Sequence, residues 1–196
     1  EGARFRSHID GSEHFLTPEL AVQYQEALGS DIGMVLDHCP AYGETTREIE
    51  EATERTSRWA TRSVKAWTRN EMALFGIIQG GWSSSIRRRS AEVLTSLDLP
   101  GYAIGGVSVG EPKALAYQAV KDSVPYLPPE KPRYLMGVGA PEDLLTCIGQ
   151  GIDLFDCTLP TRVARNGGLF TRNGRINLRN SRYADQSDPI DEDSEC

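Results

Sequence analysis

The chain reads as an α/β protein on a parallel sheet, a partial (β/α)8 TIM barrel, and three observations predict this. Short apolar runs alternate with amphipathic helical segments along the 196 residues, a pattern that implies βαβ crossovers and parallel strands. Five successive runs end in polar or Gly-rich sequence, as expected of the face on which such a barrel carries its site. No G-x-G-x-x-G follows a predicted strand and no Walker A sequence occurs, so the nucleotide-cofactor folds lose support. A complete barrel takes about 250 residues, so this chain holds only part of one. Residues 1–196 are expected to form one domain, the central to C-terminal part of the barrel.

The elements follow in order. Thr17 before Pro18 is a cap and first-turn signal, and Gly29 closes the helix it opens. Gly33 to Leu36 reads as a strand that delivers Asp37-His38-Cys39-Pro40. Thr45 and Glu48 form a capping box for a long helix to about Trp67, with Ile49, Ala52, Thr56, Trp59, Ala60 and Ser63 on one face. The next strand, Ala73 to Ile78, ends in Gln79-Gly80-Gly81 and leads to a helix over Ser84 to Leu97. A strand at Tyr102 to Ile104 ends in Gly105-Gly106-Val107-Ser108-Val109-Gly110-Glu111, before a helix from Pro112 to about Val124. Arg133 to Met136 leads into Gly137-Val138-Gly139, and a short helix spans Pro141 to Gly149. Leu154-Phe155 is the last strand of the series. Gly168 to Leu178 looks like a hairpin turning at Asn173-Gly174.

Composition describes a soluble globular protein, 39% hydrophobic and 25% charged. No apolar run approaches the roughly 20 residues of a membrane span, and no secretory signal opens the chain. Cys39, Cys147, Cys157 and Cys196 are too scattered for a disulfide framework and suit reduced thiols in the cytoplasm. The net charge of −7 argues against non-specific nucleic-acid binding over the whole surface. It is distributed unevenly, however. Between Cys157 and Ala184 there is no Asp or Glu, while Arg162, Arg165, Arg172, Arg175, Arg179 and Arg182 fall there, ahead of an acidic terminus. Such segregation makes either a local anion-binding strip or a solvated basic face.

The stretch Phe155-Asp156-Cys157-Thr158-Leu159-Pro160-Thr161-Arg162 carries the most information. A carboxylate leaves a buried strand there, just ahead of the arginines. Asp156 fits a nucleophile beside a phosphate-bearing substrate, or, more plainly, an Asp capping a turn after a strand. Taken with the other strand ends, in the same order, it resembles the tRNA-guanine transglycosylase family. The resemblance rests on Asp37-His38-Cys39-Pro40, Phe75 to Gly80, Gly105 to Glu111, Tyr134 to Gly139 and Phe155 to Arg162. Ser7 to Ser12 and Leu16 to Glu19 match as well.

The resemblance implies exchange of the wobble guanine of a tRNA anticodon loop for a 7-deazaguanine, through a covalent ribosyl-aspartate formed on Asp156. Asp37 would accept from the ring N–H and exocyclic amine of the base. Gln79 and the backbone N–H of Gly106 would donate to its carbonyl edge, and Met136 would lie against its face. Glu111 is expected behind the Val107–Ser108 peptide, where its protonation would select the peptide's orientation. Arg162 and Arg165 match positions that hold anticodon-loop phosphates. Cys39 and Val109 are the bacterial pattern, and Val109 would crowd a cyclopentenediol group, which favours 7-aminomethyl-7-deazaguanine. Val107 and Ser108 stand where other members often have Leu and Ala, so fine base specificity is the least determined feature.

Two family parts are expected outside the chain. One is a Ser-Asp-Ser-Gly-Gly-Phe-Gln motif upstream, whose Asp is the general base. The other is most of a structural Zn2+ site, of which Cys196 fits an early thiolate, so that 185–196 would begin a zinc-binding subdomain. One thiolate cannot hold a tetrahedral structural zinc, so the fragment is expected to bind none and to be inactive alone. The family also implies a homodimer. The alternative from a different class is a non-catalytic tRNA-binding subunit; retention of Asp37 and Asp156 weighs against it.

Overall fold

The computed structural model describes residues 1–190. The chain forms two compact units, one of residues 1–156 and a second beginning at Cys157. The first holds a curled five-stranded parallel sheet in the order β3(Ile32–Met34), β4(Ala73–Ile78), β5(Gly101–Ile104), β6(Arg133–Leu135), β7(Leu154–Phe155). Helices α2(Thr46–Ala66), α3(Ser84–Thr95), α4(Lys113–Ser123) and α5(Pro141–Gly149) make the four crossovers between consecutive strands. Strands that neighbour in space as they do in sequence, all parallel and each followed by a helix, are those of a partial (β/α)8 barrel. Ahead of them stand a hairpin of β1(Ala3–Arg6) and β2(Glu13–Leu16), then α1(Pro18–Leu28).

The helix ends follow the chemistry of their caps. Thr17 accepts from the Leu20 amide at the start of α1, and Gly29, at φ +74°, closes it in a conformation that favours glycine. At α2, Thr45 Oγ1 accepts from the Glu48 amide at 3.3 Å and the Glu48 carboxylate accepts from the Thr45 amide at 2.8 Å, the reciprocal capping box. All six residues expected on the apolar face of α2 are buried, with Thr53 beside them. Thr53 and Thr56 satisfy their hydroxyls on the Ile49 and Ala52 carbonyls, which lets polar side chains sit in that face at little cost.

Strand β4 is buried from Leu74 through Ile78, as a parallel strand covered on both faces should be. Leu74, Ile78, Tyr102, Ile104 and Leu135 centre one continuous core. Ile32 and Leu154, on the edge strands β3 and β7, are exposed.

Several boundaries differ from expectation. The strand expected over Gly33 to Leu36 pairs only at Ile32–Met34, although the Val35 amide still donates to the Phe75 carbonyl. Helix α3 stops at Thr95, and a 3-10 turn, Val124–Tyr126, follows α4 because Pro125 ends the α pattern.

The second unit contains α6(Leu159–Arg165), a hairpin of β8(Gly168–Thr171) and β9(Gly174–Asn177), and a 3-10 turn at Ser181–Tyr183. The expected hairpin is present, but Thr171 pairs with Gly174, so Arg172-Asn173 form its loop and Gly174 begins the return strand. Helix α6 was not expected: Val163 is its one buried side chain, too little for an amphipathic period. No helix among the described residues is long and apolar enough to cross a membrane.

Candidate active site

A cleft of about 290 Å³ opens at the C-terminal ends of the strands of the first unit. Its lining includes Asp37, Cys39, Gly106, Val107, Met136 and Asp156. They come from the ends of four strands, β3, β5, β6 and β7, or the loops that follow, which is how a barrel converges residues distant in sequence. Six of the expected site residues therefore share one cavity.

Asp156 follows β7 directly and is exposed to the cleft. Its Oδ1 accepts from the Tyr134 hydroxyl at 2.6 Å and from the Gly137 amide at 2.8 Å, while Oδ2 takes neither bond. Both donors come from β6 and its loop, the neighbouring strand. Burial, reinforced by the Asp156 carboxylate, pushes the Tyr134 phenol well above its ordinary pKa, so it remains a donor at neutral pH. Sequence reasoning missed Tyr134 and Gly137 as site residues. The available signal was the period-2 relation of Tyr134 to Met136, which puts both on one face of the strand.

Asp37 is part-buried, and burial raises its pKa despite the hydrogen bond it accepts at 2.6 Å from Gln79 Nε2. Gln79 itself is completely buried and does not line the cleft; it reaches the site through Asp37, with its amide nitrogen on that carboxylate and its Oε1 without a partner. A buried acceptor left unpaired is costly, so the Gln79 amide is not locked in place by its oxygen. Cys39 is a free, exposed thiol whose pKa burial of its sulfur and the nearby Asp37 carboxylate raise, against the Gly106 amide that interacts with that sulfur.

The loop after β5 has two layers. Gly106, at φ +67°, lies against Gln79; an added Cβ would sit 2.6 Å from Oε1, so only glycine allows this approach. Beyond it, Glu111 accepts from the amides of Ser108 at 2.6 Å and Val109 at 2.8 Å. Ser108 holds φ +61°, an uncommon conformation for a side-chain-bearing residue. Glu111 thus sits behind the loop, lining with Ser108 a second cavity of about 130 Å³ that shares Val107 with the cleft. Val109 is 37% exposed.

In the second unit, Arg162 and Arg165 project from α6 at an i, i+3 spacing and are both exposed. Arg179 reaches back to the Arg165 carbonyl, and Arg182 stacks on Tyr183. Among the described residues no three His, Cys, Asp or Glu side chains converge where a metal ion could sit. Cys196 lies outside the described residues.

Fold and cleft together define part of a (β/α)8 barrel with two carboxylates lining one cavity. The family model for Queuine tRNA-ribosyltransferase matches residues 1–196, and the chain belongs to that family. It is 56% identical over 195 residues to a queuine tRNA-ribosyltransferase of Dehalococcoides mccartyi, covering all of this chain and 50% of the relative. Proteins of the same name from Pelotomaculum thermopropionicum and Staphylococcus epidermidis are 55% and 51% identical over 196 and 197 residues, with 53% and 52% of the relative covered. The chain spans about half the length of the curated relatives it matches.

Proposed function

We propose that the protein carrying this chain is a tRNA-guanine transglycosylase that exchanges the anticodon wobble guanine for 7-aminomethyl-7-deazaguanine, by double displacement through Asp156. The observation that carries this reading is the shared cleft of Asp37 and Asp156, whose lining also includes Gly106 and Met136.

The chemistry parallels a retaining glycosidase. Asp156 Oδ2, the oxygen free of Tyr134 and Gly137, attacks the ribose anomeric carbon. The C1′–N9 bond breaks, its electron pair leaves with guanine, and guanine takes a proton from solvent. The incoming base then loses its ring proton to the general base expected upstream and attacks C1′, and Asp156 departs as carboxylate. The target nucleotide must leave its stack, so the pocket reads its polar edge. Asp37 accepts from the ring N–H and amine, Gln79 and the Gly106 amide donate to the carbonyl, and Met136 covers the ring. For Gln79 this requires its amide nitrogen to leave Asp37 as the base arrives. Glu111 holds the Val107–Ser108 peptide in one orientation and would release it on protonation. Cys39 and the bulk of Val109 favour the compact aminomethyl substituent.

Arg162 and Arg165 suit anticodon-loop phosphates. The structural Zn2+ belongs to the full-length protein, with Cys196 as one thiolate, and 185–196 opens that subdomain. The reading places the protein in the cytoplasm, as a homodimer. The test is incorporation of labelled guanine into unmodified tRNA by the full-length protein and its Asp156→Ala variant. Incorporation by the parent alone supports the reading. Incorporation that survives the substitution removes Asp156 as nucleophile, and tRNA binding without incorporation by either protein favours a non-catalytic subunit.

A further inference from the structure

Arg87 is the largest fully buried side chain among the described residues and is 0% exposed. A buried guanidinium is ordinarily paired with a carboxylate. This one has none within ion-pair distance among the described residues. Its donors go instead to two backbone carbonyls and a hydroxyl. Nε donates to the Gly81 carbonyl at 2.7 Å, Nη2 to the Gly105 carbonyl at 3.1 Å, and Nη1 to Ser123 Oγ at 3.5 Å. The Ser123 hydroxyl donates its own hydrogen bond to the Ala119 carbonyl, so it is committed as an acceptor toward Arg87. Burial pulls the Arg87 pKa down to about 10, which leaves the group charged at neutral pH.

The Gly105 contact has a directional consequence. The chain has no cis peptide among its described residues, and in a trans peptide the C=O and the following N–H point in opposite directions. With the Gly105 carbonyl turned back to Arg87, the Gly106 N–H points away from it and into the cleft. There it meets the Cys39 sulfur. A cation on the carbonyl also polarises the peptide and strengthens its N–H as a donor, an effect that grows in a low-dielectric interior.

We infer that Arg87 is a positioning residue of the base site, which through the Gly105–Gly106 peptide aims and strengthens the N–H that stabilises the departing base. This rests on the transglycosylase reading. When the C1′–N9 bond breaks, the electron pair delocalises onto the base and reaches its carbonyl oxygen. A donor already aimed there gains strength as that charge develops, as an oxyanion-hole donor does. Arg87 itself touches no substrate. The contact to Gly81 ties the loop after β4 to the same cation, so the Gln79 and Gly106 ends of the pocket are held by one group.

The test uses the full-length protein with Arg87→Met, Arg87→Lys and Ser123→Ala, reading guanine incorporation as kcat and the tRNA KM separately. The Lys variant keeps the charge but loses the fork. The expected result is a fall of about a hundredfold in kcat for Met, the lower end of the range for a lost oxyanion-hole donor, and a smaller one of about tenfold for Lys. Ser123→Ala should fall a few-fold, and KM for tRNA should stay within about twofold throughout. Should the Met variant fail to fold in a thermal melt, Lys and Ser123→Ala still decide. An active parent with Lys and Ser123→Ala at parental kcat overturns the inference alone. So does a loss that appears in tRNA KM instead. A parent that incorporates no guanine overturns the transglycosylase reading, and the inference with it.

Discussion

The Tyr134 hydroxyl donates to Asp156 Oδ1 at 2.6 Å, and in the proposed double displacement this leaves the other carboxylate oxygen to attack. With the Gly137 amide on the same oxygen, Oδ2 is left to the cleft. A hydrogen bond to a carboxylate acts on the two half-reactions in opposite senses. It lowers nucleophilicity in the first and stabilises the departing carboxylate in the second. Tyr134→Phe should therefore slow breakdown of the covalent ribosyl-enzyme more than its formation, and the adduct should accumulate. A bond of this kind contributes about 1.5–3 kcal/mol, roughly ten- to a hundredfold in rate. The check is the fraction of protein joined to tRNA on a denaturing gel at steady state; an adduct no more abundant than in the parent would refute the assignment.

Asp37 links the site to stability. Its folded-state pKa lies above its ordinary value of 3.8 because burial disfavours the charged form. A raised pKa contributes stability that is complete below the unfolded value and is lost as pH rises through the folded one. Asp37→Asn removes that liability and can still accept from Gln79. The variant should melt at a higher temperature than the parent at pH 7 to 8, with the gain closing toward about pH 4. It should also lose base exchange, because an amide cannot match both base donors. Equal melting temperatures across that range would show that Asp37 carries no burial penalty.

Val109 tests the choice of base. Its side chain is 37% exposed on the loop whose amides Glu111 holds. Val109→Gly should raise kcat/KM for a base with a cyclopentenediol substituent, relative to the aminomethyl base, by about tenfold or more, the scale on which a pocket discriminates by bulk. Competition between the two bases for one tRNA gives the ratio directly. If it does not move, bulk at Val109 is not the gate.

The sequence made the βα alternation legible because caps and periods are local signals. Thr17-Pro18, Thr45 with Glu48, and the buried run of β4 all encode their elements within a few residues. Asp37 and Asp156 were legible as strand-end carboxylates, and the ordered motifs supplied roles that isolated residues do not have. The donors that orient those carboxylates were not. Tyr134 meets Asp156 across a strand pair and Arg87 meets Gly105 from a helix, contacts set by tertiary packing. Arg87 lies in the run Arg87-Arg88-Arg89, whose other members pair on the surface with Glu92 and Glu50. Composition cannot single out the buried one.

Glu19 and Arg62 join α1 to α2 through a two-pronged ion pair, with both bonds at 2.7 Å. The Arg62 hydrogen bond draws the Glu19 pKa from 4.5 down to about 2. A depressed carboxylate contributes stability that is present above its unfolded pKa and lost as pH falls toward the folded one. Glu19→Gln should lower the melting temperature at pH 7, and the difference should shrink between pH 4.5 and about 2. Both side chains are about a third exposed, so solvent screening holds the effect to about 1 kcal/mol or less. A deficit that persists unchanged at the acid end would place its origin in packing rather than charge.

Arg162 and Arg165 make the phosphate reading quantitative. They stand one helical turn apart on α6, exposed, within a stretch of the chain that has no carboxylate from Cys157 to Ala184. Each phosphate contact on a single-stranded loop releases counterions and contributes about 0.7 to the slope of log affinity against log salt. Arg162→Ala and Arg165→Ala should each weaken tRNA binding at low salt and flatten that slope by about this amount, and the double variant by about twice it. Neither should change kcat at saturating tRNA, because neither touches the reacting atoms in the proposed chemistry. Titration of labelled tRNA across a salt series reads the slopes. Unaltered slopes in the double variant would assign the two arginines to a solvated face.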